Sequence, residues 1–491
     1  MLKKPRPTYI LVRWLFVKCV GIIYLLAFAS LATQILGLLG SEGVLPVKDF
    51  FLAVKEHYGA QSFWLVPSLF WINASDTALV SLCVAGSVLA VFLILGLAPT
   101  IVSFILWVFY LSITTVGQDF LGFQWDALLL EVGFLTIFFA ERSFRPRIFP
   151  NATPAIAIVW VLRFVLFKLM FSSGVVKLAS GDKTWSQLTA LTYHYMTQPL
   201  PSPTSWFVHQ WPLWAHKFCN FFLFVIELIV PFFIFLGRRM RQAAFVCFVF
   251  LQIIIMLTGN YCFFNLLTIL LCLVLLDDET VKKFFPGKFI PSVESALKTC
   301  PKENLFEKYS LIAVACLIFL VNLQYFPFSS KISAYLKPLK PLTEKISYLH
   351  SCSPYGLFAV MTTRRWEIVI EGSLDGRDWK EYEFRYKPGR LDKIPGWVAP
   401  HQPRLDWQMW FAALGSYKQN FWVISLMQKI LEGSKPVLGL LDLNPFKETP
   451  PKYLRAIVYD YTFTDSSTRK KTGAWWNRKL VGLYCPVLML K

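Results

Sequence analysis

Long apolar runs separated by short basic loops fill the first two thirds of the chain, and alternating apolar and polar positions take over afterwards. A transmembrane helix needs about 20 mostly apolar residues. Runs near that length are predicted at 15–37, 78–98, 101–116, 125–140, 156–176, 218–236, 242–258, 260–276 and 309–327, with the pair inside 101–140 short enough to form one re-entrant hairpin. Beyond them, Arg364 to Lys387 alternates around Asp375-Gly376, the pattern of a β-hairpin with Trp366, Ile368 and Ile370 on one face. Tyr453 to Thr464 reads as a further strand, and helices are predicted around Trp407–Leu414 and Phe421–Leu431. The expected fold is an α-helical polytopic membrane bundle of about eight or nine transmembrane helices, residues 1–327. A mixed, mainly β extracytoplasmic domain, residues 328–491, follows it.

Composition agrees with this class: 55% of the 491 residues are hydrophobic and the mean hydropathy is +0.50. The first run is too long for a removable signal peptide and is expected to stay as a helix. Basic collars sit at Lys3, Lys4, Arg6 and Arg13, at Arg142, Arg145 and Arg147, at Arg238, Arg239 and Arg241, and at Lys282, Lys283 and Lys288. With nine spans all four fall on one side, which the positive-inside rule makes cytoplasmic. The C-terminal domain then lies in the lumen of the endoplasmic reticulum or in a bacterial periplasm. From Phe328 onward 25 Lys and Arg face 14 Asp and Glu, a net +11. Such a surface suits anionic headgroups or acidic clients, or is simply solvated. With part of the basic charge set as topology collars, the charge of +19 is no sign of nucleic-acid binding.

The charges inside the apolar runs carry the chemistry. Val159 to Pro201 holds Arg163, Lys168 and Lys177 in a run of spanning length, followed by a loop with Asp182, His194 and Gln198. Charge at the bilayer centre is expensive, so such bases need acids, water or a task. At a rise of about 1.5 Å per residue, Asp126, Glu131 and Glu227 come to depths compatible with the bases. Pro231 leaves the carbonyl of residue 227 without its helical partner and kinks that helix. The expectation is that Glu131 or Glu227 neutralises Lys168 and Asp126 neutralises Lys177, in a polar pocket that Asn260 and Asn265 also line. A static network that only fixes helix packing is the alternative.

Other motifs are sparse. There is no nucleophile elbow, phosphate loop, dinucleotide fingerprint, CxxC pair or metal-ligand spacing, so neither a metal nor a cofactor is expected. His194, His209 and His216 share the outer loop, and Lys177 or His194 could serve as a base only if desolvated. Most of the ten cysteines lie in apolar spans, and Cys300 in a basic loop. Cys352 and Cys485 are the one pair placed to bridge within the outer domain. Val44 to Tyr58 has the amphipathic period of a helix lying in the interface or packed on the bundle. Asn73-Ala74-Ser75 is a glycosylation sequon on the outer side, whereas Asn151-Ala152-Thr153 is followed by Pro154 and predicted cytoplasmic.

Several longer motifs point to a family. They are Gln124-Trp125-Asp126 with Leu128-Leu129-Leu130-Glu131, Ser173-Gly174-Val175-Val176-Lys177-Leu178 continuing through Ser180-Gly181-Asp182 and Thr184-Trp185, and Leu191-Thr192-Tyr193-His194-Tyr195 with Thr197-Gln198-Pro199-Leu200-Pro201. The C-terminal half adds His401-Gln402-Pro403-Arg404-Leu405-Asp406-Trp407-Gln408-Met409-Trp410-Phe411-Ala412-Ala413-Leu414, then Trp475-Trp476 with Arg478 and Gly482-Leu483-Tyr484-Cys485-Pro486. From about residue 10 to its end the chain resembles the lipase maturation factors, membrane proteins of the endoplasmic reticulum with bacterial relatives. Its membrane half is distantly similar to the helical domain of vitamin K-dependent carboxylase, and no catalytic residue carries over at that distance.

The resemblance implies a chaperone-like factor that assists folding or assembly of secreted lipases, with the outer domain touching client proteins. Under that reading Trp407, Trp410, Trp475, Trp476 and Arg478 are the expected client-binding residues, with packing in the domain core as the alternative for the tryptophans. The second reading is a membrane enzyme or lipid-binding protein using the pocket around Lys168, Lys177 and Glu227. Of the two, the non-enzymatic reading is favoured.

Overall fold

The computed structural model describes residues 8–144, 153–284, 305–324 and 340–490. The collar residues Lys3, Lys4, Arg6, Arg145, Arg147 and Lys288, Cys300, the Asn151 sequon and the expected 327/328 boundary lie outside the described residues.

The membrane part is built from α1 (Ile10–Ala32), the amphipathic α2 (Val47–Tyr58), α3 (Asp76–Leu95), α4 (Pro99–Val116), α5 (Gln124–Phe139), α6 (Ile156–Ala179), the short α7 (Ala190–Thr197), α8 (Leu213–Phe224), α9 (Arg238–Thr258), α10 (Phe264–Cys272) and α11 (Leu305–Leu323). Among the described residues six helices are long and apolar enough to cross a membrane: α1, α3, α4, α6, α8 with its continuation to Phe235, and α9. The shorter α5 and α10 and the apolar stretch Tyr309–Leu323 of α11 occupy the other expected positions. Terminal chemistry explains several boundaries. The backbone N–H groups of Ile10, Leu11 and Val12 donate to the carboxylate of Asp278 at 2.7, 2.9 and 3.2 Å, a cap supplied from far along the chain. Ser75 caps α3, which ends where Gly96 turns left-handed at φ +83°. Pro231 ends regular helix after α8: Val225–Ile229 forms a π turn and Val230–Phe235 a 3-10 segment, the kink expected there.

The C-terminal domain carries a four-stranded antiparallel sheet of β1 (Arg365–Ser373), β2 (Lys380–Glu381), β5 (Tyr453–Phe463) and β6 (Trp476–Leu488) in the order β2-β1-β5-β6, and a small pair, β3 (Glu383–Phe384) with β4 (Leu441–Leu443). The β1–β2 turn is made at Asp375, whose carboxylate accepts from the N–H groups of Arg377 and Asp378 while Gly376 sits at φ +77°. Helices α12 (Arg404–Ala413) and α13 (Phe421–Leu431) pack against the sheet, α12 at β1 and α13 at β5. Ile368 and Ile370 are fully buried as expected, whereas Trp366 stays 38% exposed at the strand's start.

This domain caps one end of the bundle. Gln34, just past the end of α1, donates to the Gln402 carbonyl at 2.7 Å and accepts from Arg404 N–H at 3.0 Å. The Arg365 guanidinium holds the carbonyls of Met196, Gln198 and Pro199. The basic collars within the described residues gather at the opposite end, where Arg238 pairs with Asp277 beside the Asp278 cap of α1.

Candidate functional site

Three carboxylates and three bases are buried in and under the capped end of the bundle, in three separate pairs. Lys168 Nζ of α6 lies 3.0 and 3.2 Å from the Glu131 carboxylate of α5, both side chains fully buried. Asn322 of α11 accepts from the same ammonium, and the Tyr355 hydroxyl donates to Glu131. Lys177 Nζ lies 2.9 and 2.8 Å from the Glu227 carboxylate in the π turn. Close approach is required there: a Cβ on Gly174 would lie 2.7 Å from Leu228 Cδ2 and 3.0 Å from Glu227 Cβ. Glycine thus lets α6 pack against that turn.

The expected Asp126–Lys177 pair is corrected. Asp126 instead receives a bidentate contact from Arg404 of the C-terminal domain, at 2.9 and 2.8 Å, and the hydroxyl of Tyr110. Arg404 also donates to the Phe120 carbonyl at 2.7 Å. The planar guanidinium fork matches a carboxylate and a nearby carbonyl at once, which a single ammonium does not. Two bundle carboxylates are therefore satisfied from the C-terminal region, by Arg404 and Tyr355.

The other expected pocket residues separate. Arg163 stays near the opposite end of α6, donating to the Val274 carbonyl at 2.9 Å and the Tyr9 hydroxyl at 3.0 Å. Asp182 caps a short turn through Thr184 N–H and accepts from Met361 N–H at 2.6 Å. Asn260 does not line a pocket but staples the two parts: its oxygen accepts from Val398 and Ala399 N–H, and its amide donates to the Leu200 and Gly396 carbonyls. Asn265, Lys177, Glu227 and His194 do line a cavity of about 720 Å³ between α6, α7, α8, α9 and α10. His194 Nε2 meets the Tyr261 hydroxyl at 3.1 Å. Burial, and then the neighbouring Lys177, push its pKa down to about 4, so the imidazole is neutral at neutral pH.

In the C-terminal domain the four expected client-binding tryptophans are core residues, between 1% and 7% exposed. Trp407 packs edge-on against Trp125 of the bundle and Trp410 donates to the Thr197 carbonyl at 2.7 Å. Trp475 and Trp476 cluster with Trp206, Phe463 and Met196. Their large apolar area is worth more buried between domain and bundle than exposed. Arg478 alone reaches the surface, half-buried in a pair with Glu381 at 2.8 Å. Cys352 and Cys485, the pair that the sequence places to bridge, do not do so: both thiols are free, Cys352 against Asn322 and Cys485 opposite Ala456 in the sheet. Asn73 is exposed, its side chain accepting from Ser75 N–H at 3.0 Å. Among the described residues no group of three or more His, Cys, Asp or Glu is arranged to hold a metal ion.

Arg404, Tyr355, Asn322 and Tyr110 were not among the expected site residues. Arg404 lies inside the HQPRLDWQMW motif, and the signal for it was charge balance. Arg163 is too distant to serve, so Asp126, Glu131 and Glu227 outnumber the bases that α6 can supply.

The sequence matches the family model for the lipase maturation factor transmembrane domain over residues 11–283, and that for the lipase maturation factor C-terminal domain over 351–486. The chain belongs to the lipase maturation factor family. It is 35% identical to human (Homo sapiens) lipase maturation factor 2, over 97% of this chain and 82% of that protein. It is 32% identical to mouse (Mus musculus) lipase maturation factor 1, over 99% and 88%. No solved structure matches it. In family terms, the transmembrane domain supplies the buried carboxylates and the C-terminal domain supplies two of the groups that satisfy them.

Proposed function

We propose that this lipase maturation factor family member is a membrane-anchored maturation factor that assists folding or assembly of secreted lipases. The observation that carries the reading is its similarity, over nearly its whole length, to proteins named for that role. In this reading the C-terminal domain faces the lumen of the endoplasmic reticulum or the bacterial periplasm. Support comes from the basic collars lying at the bundle end opposite the cap. Client contact falls to the domain's surface, net +11 and including Arg478, because the tryptophans hold the domain together. The chain acts by binding and presenting partly folded client. The Arg404–Asp126 pair and the Tyr355–Glu131 hydrogen bond keep the client-binding domain in one orientation on its anchor.

The test is co-expression with a secreted lipase in cells lacking their own maturation factors. Secreted activity per mass of lipase should rise with the wild-type chain. No rise, with the chain present at normal level in the membrane, would overturn the reading.

A further inference from the structure

The maturation role does not use the cavity beside the Lys177–Glu227 pair. Its shape follows from the irregular end of α8. The α8 segment and α9 pack together around Val230–Phe235 and separate toward the capped end, leaving a wedge between them. Phe218 and Phe222 on α8, and Phe250, Ile254 and Leu257 on α9, line this wedge yet are 38–58% exposed. Spacings of three and four put each set on one helix face. Both helices are spans, so the wedge opens sideways into the hydrocarbon of the bilayer rather than into water.

The inner wall is polar, and it carries no net charge. Lys177 and Glu227 neutralise each other. The neutral His194 is bonded to Tyr261. Asn265 donates to Gln252 at 2.8 Å, and both side chains are at least nine-tenths buried. Among the described residues that bond leaves the two Gln252 amide N–H groups and the Asn265 amide oxygen without a partner, so these cavity-lining residues offer both donors and an acceptor. An anionic or cationic head would meet no free counter-charge in this low-dielectric site, and burying it unpaired is costly. A hydroxyl or ester head would satisfy the free amide groups. About 720 Å³ lies in the ordinary range for small-molecule sites. It accommodates one long alkyl chain with a compact head, not two chains.

We propose that this cavity binds a single-chain membrane lipid with an uncharged, hydrogen-bonding head, of the monoacylglycerol kind, admitted from the bilayer between α8 and α9. The inference is independent of the maturation role.

The full chain in phosphatidylcholine nanodiscs tests it, with three probes carrying a diazirine in the alkyl chain: a monoacylglycerol, the corresponding fatty acid and a phosphatidylcholine. The monoacylglycerol should label the peptides spanning 218–227 and 250–268, and excess unlabelled monoolein should displace it. Filling the wedge with Ile255→Trp, or with Leu223→Trp should the first variant fold poorly, should cut that labelling about tenfold, a loss of ~1.4 kcal/mol in binding, with melting unchanged. The proposal is overturned by equal labelling from the fatty acid, or by adducts confined to outward faces such as Val84, Val88 and Val91 of α3. Labelling that survives in a well-folded filled variant overturns it as well.

Discussion

Arg404→Ala removes one side chain of the C-terminal domain, yet its largest effect should be felt in the membrane bundle. Arg404 and Asp126 are 2% and 0% exposed, joined by two bonds of 2.8 and 2.9 Å. Without the guanidinium Asp126 keeps only the Tyr110 hydroxyl, and the Phe120 carbonyl loses its donor. Removing one partner of a buried pair costs about 3–5 kcal/mol, because the remaining charge is uncompensated. Replacing both partners with apolar residues of similar size is often neutral, so Arg404→Met with Asp126→Leu should regain most of the loss. Arg404→Lys should recover little, since an ammonium does not span the carboxylate and the carbonyl together. The assay is thermal unfolding in a mild detergent, with limited proteolysis of the C-terminal domain as a second readout. A melting temperature for Arg404→Ala equal to wild type, with unchanged protease resistance, would refute the reasoning.

Lys168, Tyr355, Gly174 and His194 each give a further prediction from the same geometry. Lys168→Met strands Glu131 with only the Tyr355 hydroxyl and should cost about 3–5 kcal/mol in detergent unfolding. Tyr355→Phe removes one hydrogen bond to a charged group and should cost only about 1.5–3 kcal/mol. Gly174→Leu should drive α6 away from the π turn and break the Lys177–Glu227 pair, read as a lowered melting temperature that Gly174→Ala reproduces only in part. His194 is held from its ordinary 6.5 down to about 4, first by burial and then by Lys177, so the unfolded chain takes up the proton before the folded one. Its contribution should therefore be constant above about pH 6.5 and be lost as pH falls toward about 4; melting measured at pH 7 and pH 5 should show a shallower loss in His194→Gln. An unchanged slope in that variant would contradict the burial argument.

Much of this architecture is legible in the residues. Apolar run length places the helices within a few residues, because a membrane span must satisfy its backbone internally. Pro231 foretells the break at the π turn, and Asp375-Gly376 the β1–β2 turn. Depth along neighbouring helices narrows the partner of Lys168 to Glu131 or Glu227, and packing selects Glu131. Depth does not find Arg404 and Tyr355, because they arrive from segments far away in sequence, and helix rise says nothing about which loop folds over the bundle end. The tryptophans misled for a related reason. Aromatic density marks apolar area, and only the partner surface, here Trp125 and Thr197, decides whether that area is exposed. Asn260 looked like a lining residue from its depth, yet its amide faces the loop at 396–399.

The central structural claim is that the bundle and the C-terminal domain form one charge-balanced unit. The most direct measurement is the stability in detergent of the chain truncated after residue 327, compared with the full chain. Lacking Arg404, its Asp126 is uncompensated, and lacking Tyr355, its Glu131 loses one hydrogen bond beside Lys168, so the account predicts aggregation or a large fall in melting temperature that Asp126→Asn partly reverses. A truncated bundle that purifies as a single species and melts with the full chain would contradict the account.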